Sequence, residues 1–178
     1  MTALLGLCGA LRAQSTNRSL LIEAARVYGV PLTMADLRLP LYDGDLEQSE
    51  GIPASVQTLS DQIAGAQAIV ISGPEYNKGI SGVLKNALDW VSRTEGNPWQ
   101  GKPVAIMSAA AGRAGGERTQ MMLRDCLLAF NARVLQGPEV MIAASSGAFD
   151  AAGRLSDDRS GQMLGGLMTA LRTEVDRC

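Results

Sequence analysis

Short apolar runs alternate with amphipathic stretches along the whole chain, and the alternation predicts its elements. Residues 3–8 (Ala-Leu-Leu-Gly-Leu-Cys) form a run of strand length. Leu20, Leu21, Ala24, Ala25 and Tyr28 then recur at helical spacing up to Gly29, a helix stop, with Asn17 in the place of a cap. A second strand is read over residues 31–37, followed by a turn-rich loop at 40–45 and a helix marked by Val56, Leu59 and Ile63. Residues 67–72 are the most strand-like stretch, apolar with consecutive β-branched side chains, and they stop abruptly at Gly73-Pro74. Leu84, Ala87, Leu88 and Val91 give the next helical face, residues 102–109 a fourth strand, and residues 117–130 a further helix. A fifth strand lies within 133–142, broken by Gly137-Pro138, and Met163, Leu164, Leu167, Leu171 and Val175 mark the last helix. Met121, Met122 and Met163 are read as helical core positions, and Asp157-Asp158 as a charge cluster at a helix start.

Five strands alternating with five helices is the pattern of an α/β chain with a parallel sheet covered on both faces. The expected architecture is doubly wound, with strand order 2-1-3-4-5. Ligands of such sheets bind beyond the carboxyl ends of the strands, where the order reverses, so the loops after strands one, three and four should hold the chemistry.

Composition narrows that chemistry. The 178 residues contain no linker-like stretch and are read as one domain, 1–178. With 46% hydrophobic and 19% charged residues and a net charge of -2, the chain has a soluble globular composition and no basic surplus for nucleic acid. Its apolar runs fall far short of the roughly 20 residues of a membrane helix, and its first residues lack the positive region of a signal peptide, so a cytoplasmic location is expected. The three cysteines, Cys8, Cys126 and Cys178, form no C-x-x-C and suggest neither a disulfide framework nor a zinc site. There is no histidine, which excludes His-dependent triads, zinc proteases and His-ligated haem. Chemistry must then come from a bound cofactor, from carboxylates or lysines, or not occur at all.

The loop after strand one, Gly9-Ala10-Leu11-Arg12-Ala13-Gln14-Ser15-Thr16-Asn17-Arg18, leads into a helix start, where backbone N–H groups and the helix dipole suit an anion such as a phosphate. Ser15 and Asn17 add polar groups and Arg12 can make charge-assisted bonds. The loop matches neither the Walker A pattern nor G-x-G-x-x-G, so a monophosphate is the better fit. Helix capping alone would also account for Ser15-Thr16-Asn17. The loop after strand three, Gly73-Pro74-Glu75-Tyr76-Asn77-Lys78-Gly79, sets an aromatic and an amide side chain at the end of the central strand, suited to a planar ring with donors and acceptors on its edge. After strand four, Ser108-Ala109-Ala110-Ala111-Gly112-Arg113-Ala114-Gly115-Gly116 lets backbone approach a ligand closely. Arg113 there is read chiefly as a solvated arginine.

Taken with Leu39-Pro40-Leu41-Tyr42-Asp43 and with Ser81-Gly82-Val83-Leu84-Lys85-Asn86-Ala87-Leu88-Asp89-Trp90, these loops resemble the NADPH-dependent FMN reductase family, including its chromate and quinone reductase-like members. The resemblance implies a flavodoxin-like fold, bound FMN, and NADPH or NADH as hydride donor. It gives phosphate roles to Arg12, Ser15 and Asn17, and ring roles to Pro74, Glu75, Tyr76 and Asn77, with Ser108 and Gly112 as candidates in the third loop. No side chain is assigned a catalytic role, because the flavin carries the chemistry. The implied reaction is ping-pong, with a quinone, azo compound, chromate, ferric complex or free flavin as acceptor. Ala10 departs from the family's usual serine, which removes one side-chain contact where backbone N–H groups can still serve. A non-enzymatic FMN electron carrier of flavodoxin type is the alternative, against which stands the lack of a strong acidic surplus. The resemblance also implies a homodimer or homotetramer, with Tyr42, Tyr76 and Trp90 as aromatic residues that could serve interface, pocket or core.

Overall fold

The computed structural model describes residues 2–177, and Cys178 lies outside them. Six parallel strands form one sheet: β1 (Thr2–Cys8), β2 (Leu32–Met34), β3 (Ala66–Ser72), β4 (Pro103–Ala109), β5 (Arg133–Val134) and β6 (Val140–Ile142). Both β5 and β6 pair with β4, at its start and at its end, and so share one edge position. The sheet therefore has five positions in the order 2-1-3-4-5. The expected fifth strand is divided by residues 135–139, which contain the cis Gly137-Pro138 bond; proline has no N–H to give to a ladder.

The long strands β1, β3 and β4 sit in the middle, and each carries an uninterrupted buried apolar run because both faces are covered. Alternate residues feed two cores. Leu4, Ala68, Val70, Ala105 and Met107 pack with α1 (Thr16–Tyr28) and α6 (Asp158–Val175). Leu5, Leu7, Ile69, Ile71, Val104 and Ile106 pack on the other face with α3 (Ala54–Gly65), α4 (Gly82–Val91) and α5 (Glu117–Leu128).

Several elements depart from the sequence reading. Only Leu32–Met34 of residues 31–37 are strand. The turn-rich segment at 40–45 runs into a sixth helix, α2 (Gly44–Glu50), capped by Asp43, whose side chain accepts from the Asp45 N–H. None of its residues is buried, so no amphipathic stripe announces it. The cap of α1 is Ser15 rather than Asn17, and its Oγ accepts from the Asn17 N–H. Met121 is 61% exposed, and Met122 and Met163 are exposed too, because the buried stripes run through Thr119, Gln120, Leu123 and Leu127 in α5 and through Leu164, Leu167, Met168 and Leu171 in α6. Asp157 does cap α6, accepting from the Ser160 N–H at 2.7 Å.

Candidate functional site

The carboxyl ends of β1, β3 and β4 are adjacent, so the three loops that follow them lie together at one edge of the sheet. In the first loop the Ser15 N–H donates to the Arg12 carbonyl, turning the chain into α1. Among the described residues the N–H groups of Leu11, Arg12, Ala13, Gln14, Thr16 and Arg18 find no acceptor. They are the unsatisfied donors of a helix start and the loop before it, at the positive end of α1. The exposed Arg12 guanidinium donates one bond to the Gln14 carbonyl at 3.0 Å and keeps its other N–H groups. Arg38 reaches over from beyond β2 to donate to the Leu11 carbonyl at 3.0 Å, bracing the loop from outside. Sequence reasoning assigned nothing to Arg38, since no motif marks a side chain that reaches across from beyond β2 to a backbone carbonyl of the first loop.

Gly9 permits the first two loops to approach each other. A Cβ there would stand 2.5 Å from Leu84 Cδ1 and 2.9 Å from Pro74 Cδ, so any larger residue would drive the loops apart. Pro74 is buried in that contact. Beyond it, Tyr76 and Gly79 exchange two backbone bonds of 3.1 Å around Asn77 and Lys78, which have φ of 50° and 68°. Positive φ at both central positions is the geometry of a tight type I′ hairpin, which asparagine tolerates well. The hairpin holds out the Tyr76 ring, 55% exposed, beside the exposed Asn77 side chain.

Glu75 turns the other way. Its side chain, 15% exposed, accepts from the Arg118 N–H at 3.1 Å and pairs with the Arg118 guanidinium at 3.5 Å. Since α5 has no side-chain cap of its own, Glu75 supplies one from the neighbouring loop. In the third loop Ser108 is also engaged. Its Oγ donates to the Gly115 carbonyl at 2.7 Å and accepts from Gln120 Nε2 at 2.8 Å, which closes the loop on itself. Gly115 and Gly116 have φ of 62° and 96°, and a Cβ on Gly116 would meet Ser108 at 2.8 Å. Between the ends of this loop, Ala111, Gly112, Arg113 and Ala114 are exposed.

Asn17 is 2% exposed, with its amide used inside the protein. Its Nδ2 donates to the Ala109 carbonyl at 2.8 Å, while Oδ1 accepts from the Ala109 N–H at 3.0 Å and from Ser72 Oγ at 2.9 Å. A sequence signal for this was present: Asn17, Leu20, Leu21, Ala24 and Tyr28 are one continuous stripe, so Asn17 faces the sheet. Of the nine candidate residues, Arg12, Tyr76, Asn77 and Gly112 are open to a ligand, while Ser15, Asn17, Glu75 and Ser108 act within the loops and Pro74 packs between two of them.

Two cavities flank the first loop. One of about 220 Å³ is lined by Ala10, Arg12, Arg18, Asp36 and Arg38, and an apolar one of about 350 Å³ by Leu11, Leu37, Leu39, Leu41 and Val83. Cys8 borders the first, and burial pushes its thiol pKa up, against smaller lowering effects of its bonds to Ala10 and Ser15 and of the Arg18 charge. That is the setting of a structural rather than a reactive cysteine. Trp90 is fully buried and donates from Nε1 to the Pro40 carbonyl at 2.8 Å, with Tyr42 packed edge-on against it. It therefore belongs to the core and not to an exterior interface. Among the described residues no group of three or more acidic, cysteine or histidine side chains could hold a metal, and no helix is long and apolar enough to cross a membrane.

A doubly wound sheet of order 2-1-3-4-5, with a donor-rich first loop and two further loops gathered at its switch point, is the architecture of the flavodoxin-like class. Comparison with known proteins makes this specific. Residues 2–147 match the model of the NADPH-dependent FMN reductase family, and the chain belongs to that family. It is 42% identical to an NAD(P)H-dependent FMN reductase of Pseudomonas aeruginosa over 97% of this chain and 95% of the relative. It is 41% identical to a quinone reductase of Escherichia coli over 78% of this chain and 74% of that one. Among solved structures, FerB, a flavoenzyme NAD(P)H:(acceptor) oxidoreductase from Paracoccus denitrificans, superposes with a TM-score of 0.89 at 29% identity, covering 99% of this chain and 98% of its own. The protein is thus an oxidoreductase enzyme, and FMN with NAD(P)H are the cofactors of its family.

Proposed function

We propose that the chain, as one domain over residues 1–178, binds FMN and uses NADPH or NADH to reduce a small acceptor such as a quinone. The observation that carries the reading is the row of unsatisfied N–H groups at residues 11–14, 16 and 18 beside Arg12, at the switch point of the sheet. Their donors fit a phosphate monoester. The exposed Tyr76 ring and the exposed backbone of Ala111–Ala114 fit a planar heterocycle with acceptors on its edge.

FMN, when bound, would supply the redox chemistry between a nicotinamide and the acceptor. The chain's own part is binding and orientation. Arg12 and the loop amides would hold the phosphate, and Tyr76, Asn77 and the amides near Gly112 would contact the ring, where N–H donors favour negative charge. Ser15, Pro74, Glu75 and Ser108 keep those groups in place. No histidine is needed, because hydride transfer requires positioning rather than a side-chain acid or base. The apolar lining of Leu11, Leu39, Leu41 and Val83 beside the first loop supports an apolar acceptor such as a quinone over a chromate ion. A homodimer or homotetramer is part of the same reading.

An anaerobic visible spectrum tests it. Purified protein is reconstituted with FMN, mixed with NADPH or NADH, and then given a quinone. Bleaching of bound flavin followed by reoxidation is the expected result. Bound flavin that neither nucleotide bleaches would indicate a carrier instead, and no FMN binding would overturn the reading.

A further inference from the structure

The side chain of Asn17 makes three hydrogen bonds, and their partners are the last residues of two strands. Ser72 ends β3 and precedes the loop that carries Pro74 to Asn77; Ala109 ends β4 and precedes the loop that carries Gly112. Asn17 itself sits in the first turn of α1, directly after the phosphate-type loop. Ser72 and Ala109 lie on the same face of the sheet as α1, following the alternation that puts Val70 and Met107 there, so the Asn17 amide lies over both strand ends. With Ala109 it forms a two-point pairing like that of a neighbouring strand, which satisfies a buried N–H and a buried carbonyl at once. Its Oδ1 spends its second acceptor site on Ser72.

We propose that Asn17 is a positioning residue that holds the three loops of the site in mutual register and does not serve as a ligand of the phosphate. This rests on the FMN reading for its functional meaning. Removing the amide strands the Ala109 N–H and carbonyl and the Ser72 hydroxyl, all in a buried place, and releases the starts of two loops from the end of the third. Glu75 and Ser108 then still tie the second and third loops to α5, but among the described residues no other side-chain hydrogen bond joins either loop directly to α1. One side chain in the first turn of α1 thereby ties together the starts of the second and third loops, beside the backbone bonds from the Gly9 N–H to the Ser72 carbonyl and from the Gly73 N–H to the Met107 carbonyl.

The two roles of Asn17 separate when riboflavin, which has no phosphate, is compared with FMN. A phosphate ligand contributes only to FMN, whereas a residue that sets loop spacing contributes to both. In Asn17→Ala, assayed well below its melting temperature, affinity for FMN and for riboflavin should each fall on the order of tenfold, leaving the ratio of the two Kd values as in the wild type. Arg12→Ala should instead raise the ratio of the FMN Kd to the riboflavin Kd. In the ligand-free protein, hydrogen exchange of Asn17→Ala should quicken at residues 73–76 and 110–115 but not in the middle of α1. Ser72→Ala, which removes one of the three bonds, should shift the same readouts in the same direction by less, and it stands in if Asn17→Ala does not fold. Loss of the FMN-over-riboflavin ratio in Asn17→Ala, or unchanged exchange in both loops, would overturn the proposal. If the wild type binds neither flavin, the functional reading falls, and the exchange data still decide whether Asn17 holds the loops.

Discussion

Arg12 in the first loop is exposed and only one of its N–H groups is spent, on Gln14, so it can still offer bonds to an anion. Arg12→Ala should weaken FMN binding by about 1.5–3 kcal/mol, the range for a hydrogen bond to a charged group, with riboflavin affinity unchanged in the same fluorescence titration. Cys8 gives a pH test. Burial raises its thiol pKa, so the folded chain holds this proton more tightly than the unfolded chain does. The resulting stability is full below the ordinary value of 9.0 and declines as pH rises from there through the folded value. Urea midpoints between neutral pH and pH of about 10 should therefore drop less steeply in Cys8→Ala than in the wild type. Residue type alone brought out Arg12, whose chemistry is the same wherever it is exposed, and the structure leaves it exposed. It could not separate Ser15, Asn17, Glu75 and Ser108 from ligand-facing groups, because a buried amide or carboxylate satisfying backbone and an exposed one facing a ligand are spelled with the same letters. For Asn17 the helical period holds the missing information, one turn earlier than the apolar residues show it.

At the level of elements, two helices use the same device. Asn17 in the first turn of α1 and Gln120 in the first turn of α5 are both buried amides on the core-facing stripe, and both bond to the end of β4 or its partner β6. The junctions between elements are correspondingly intolerant. Gly9→Ala forces a methyl group against Leu84 and Pro74 and should cost about 1–3 kcal/mol in a denaturant titration, the usual scale of overpacking. Glu75→Ala removes the borrowed cap of α5 and should cost about 1 kcal/mol in the same measurement. The central strands were legible because burial on both faces leaves an uninterrupted apolar run, which β1, β3 and β4 all show. Helix α2 was not, having seven residues and no buried face, and the methionines of α5 were misplaced because its buried stripe begins with the polar pair Thr119 and Gln120. A hydrophobic period cannot register a core position held by a polar side chain.

For the molecule as a whole, the surface carries large apolar side chains at Leu41, Met121 and Leu128, with Met122 and Tyr76 near the site. Exposed groups of this kind favour association. Sedimentation velocity should accordingly give a homodimer or homotetramer at micromolar concentration, and a monomer throughout would remove that part of the proposal. The form such association takes is limited by the sheet. Its outer strands are β2, three residues long, on one side, and β5 and β6, two and three residues long and separated by Gly137-Pro138, on the other. The long apolar strands that would make an adhesive template are all interior. Among the described residues the folded chain thus offers its neighbours only short edges, and the same topology that places the three loops together limits strand-to-strand aggregation of the folded protein.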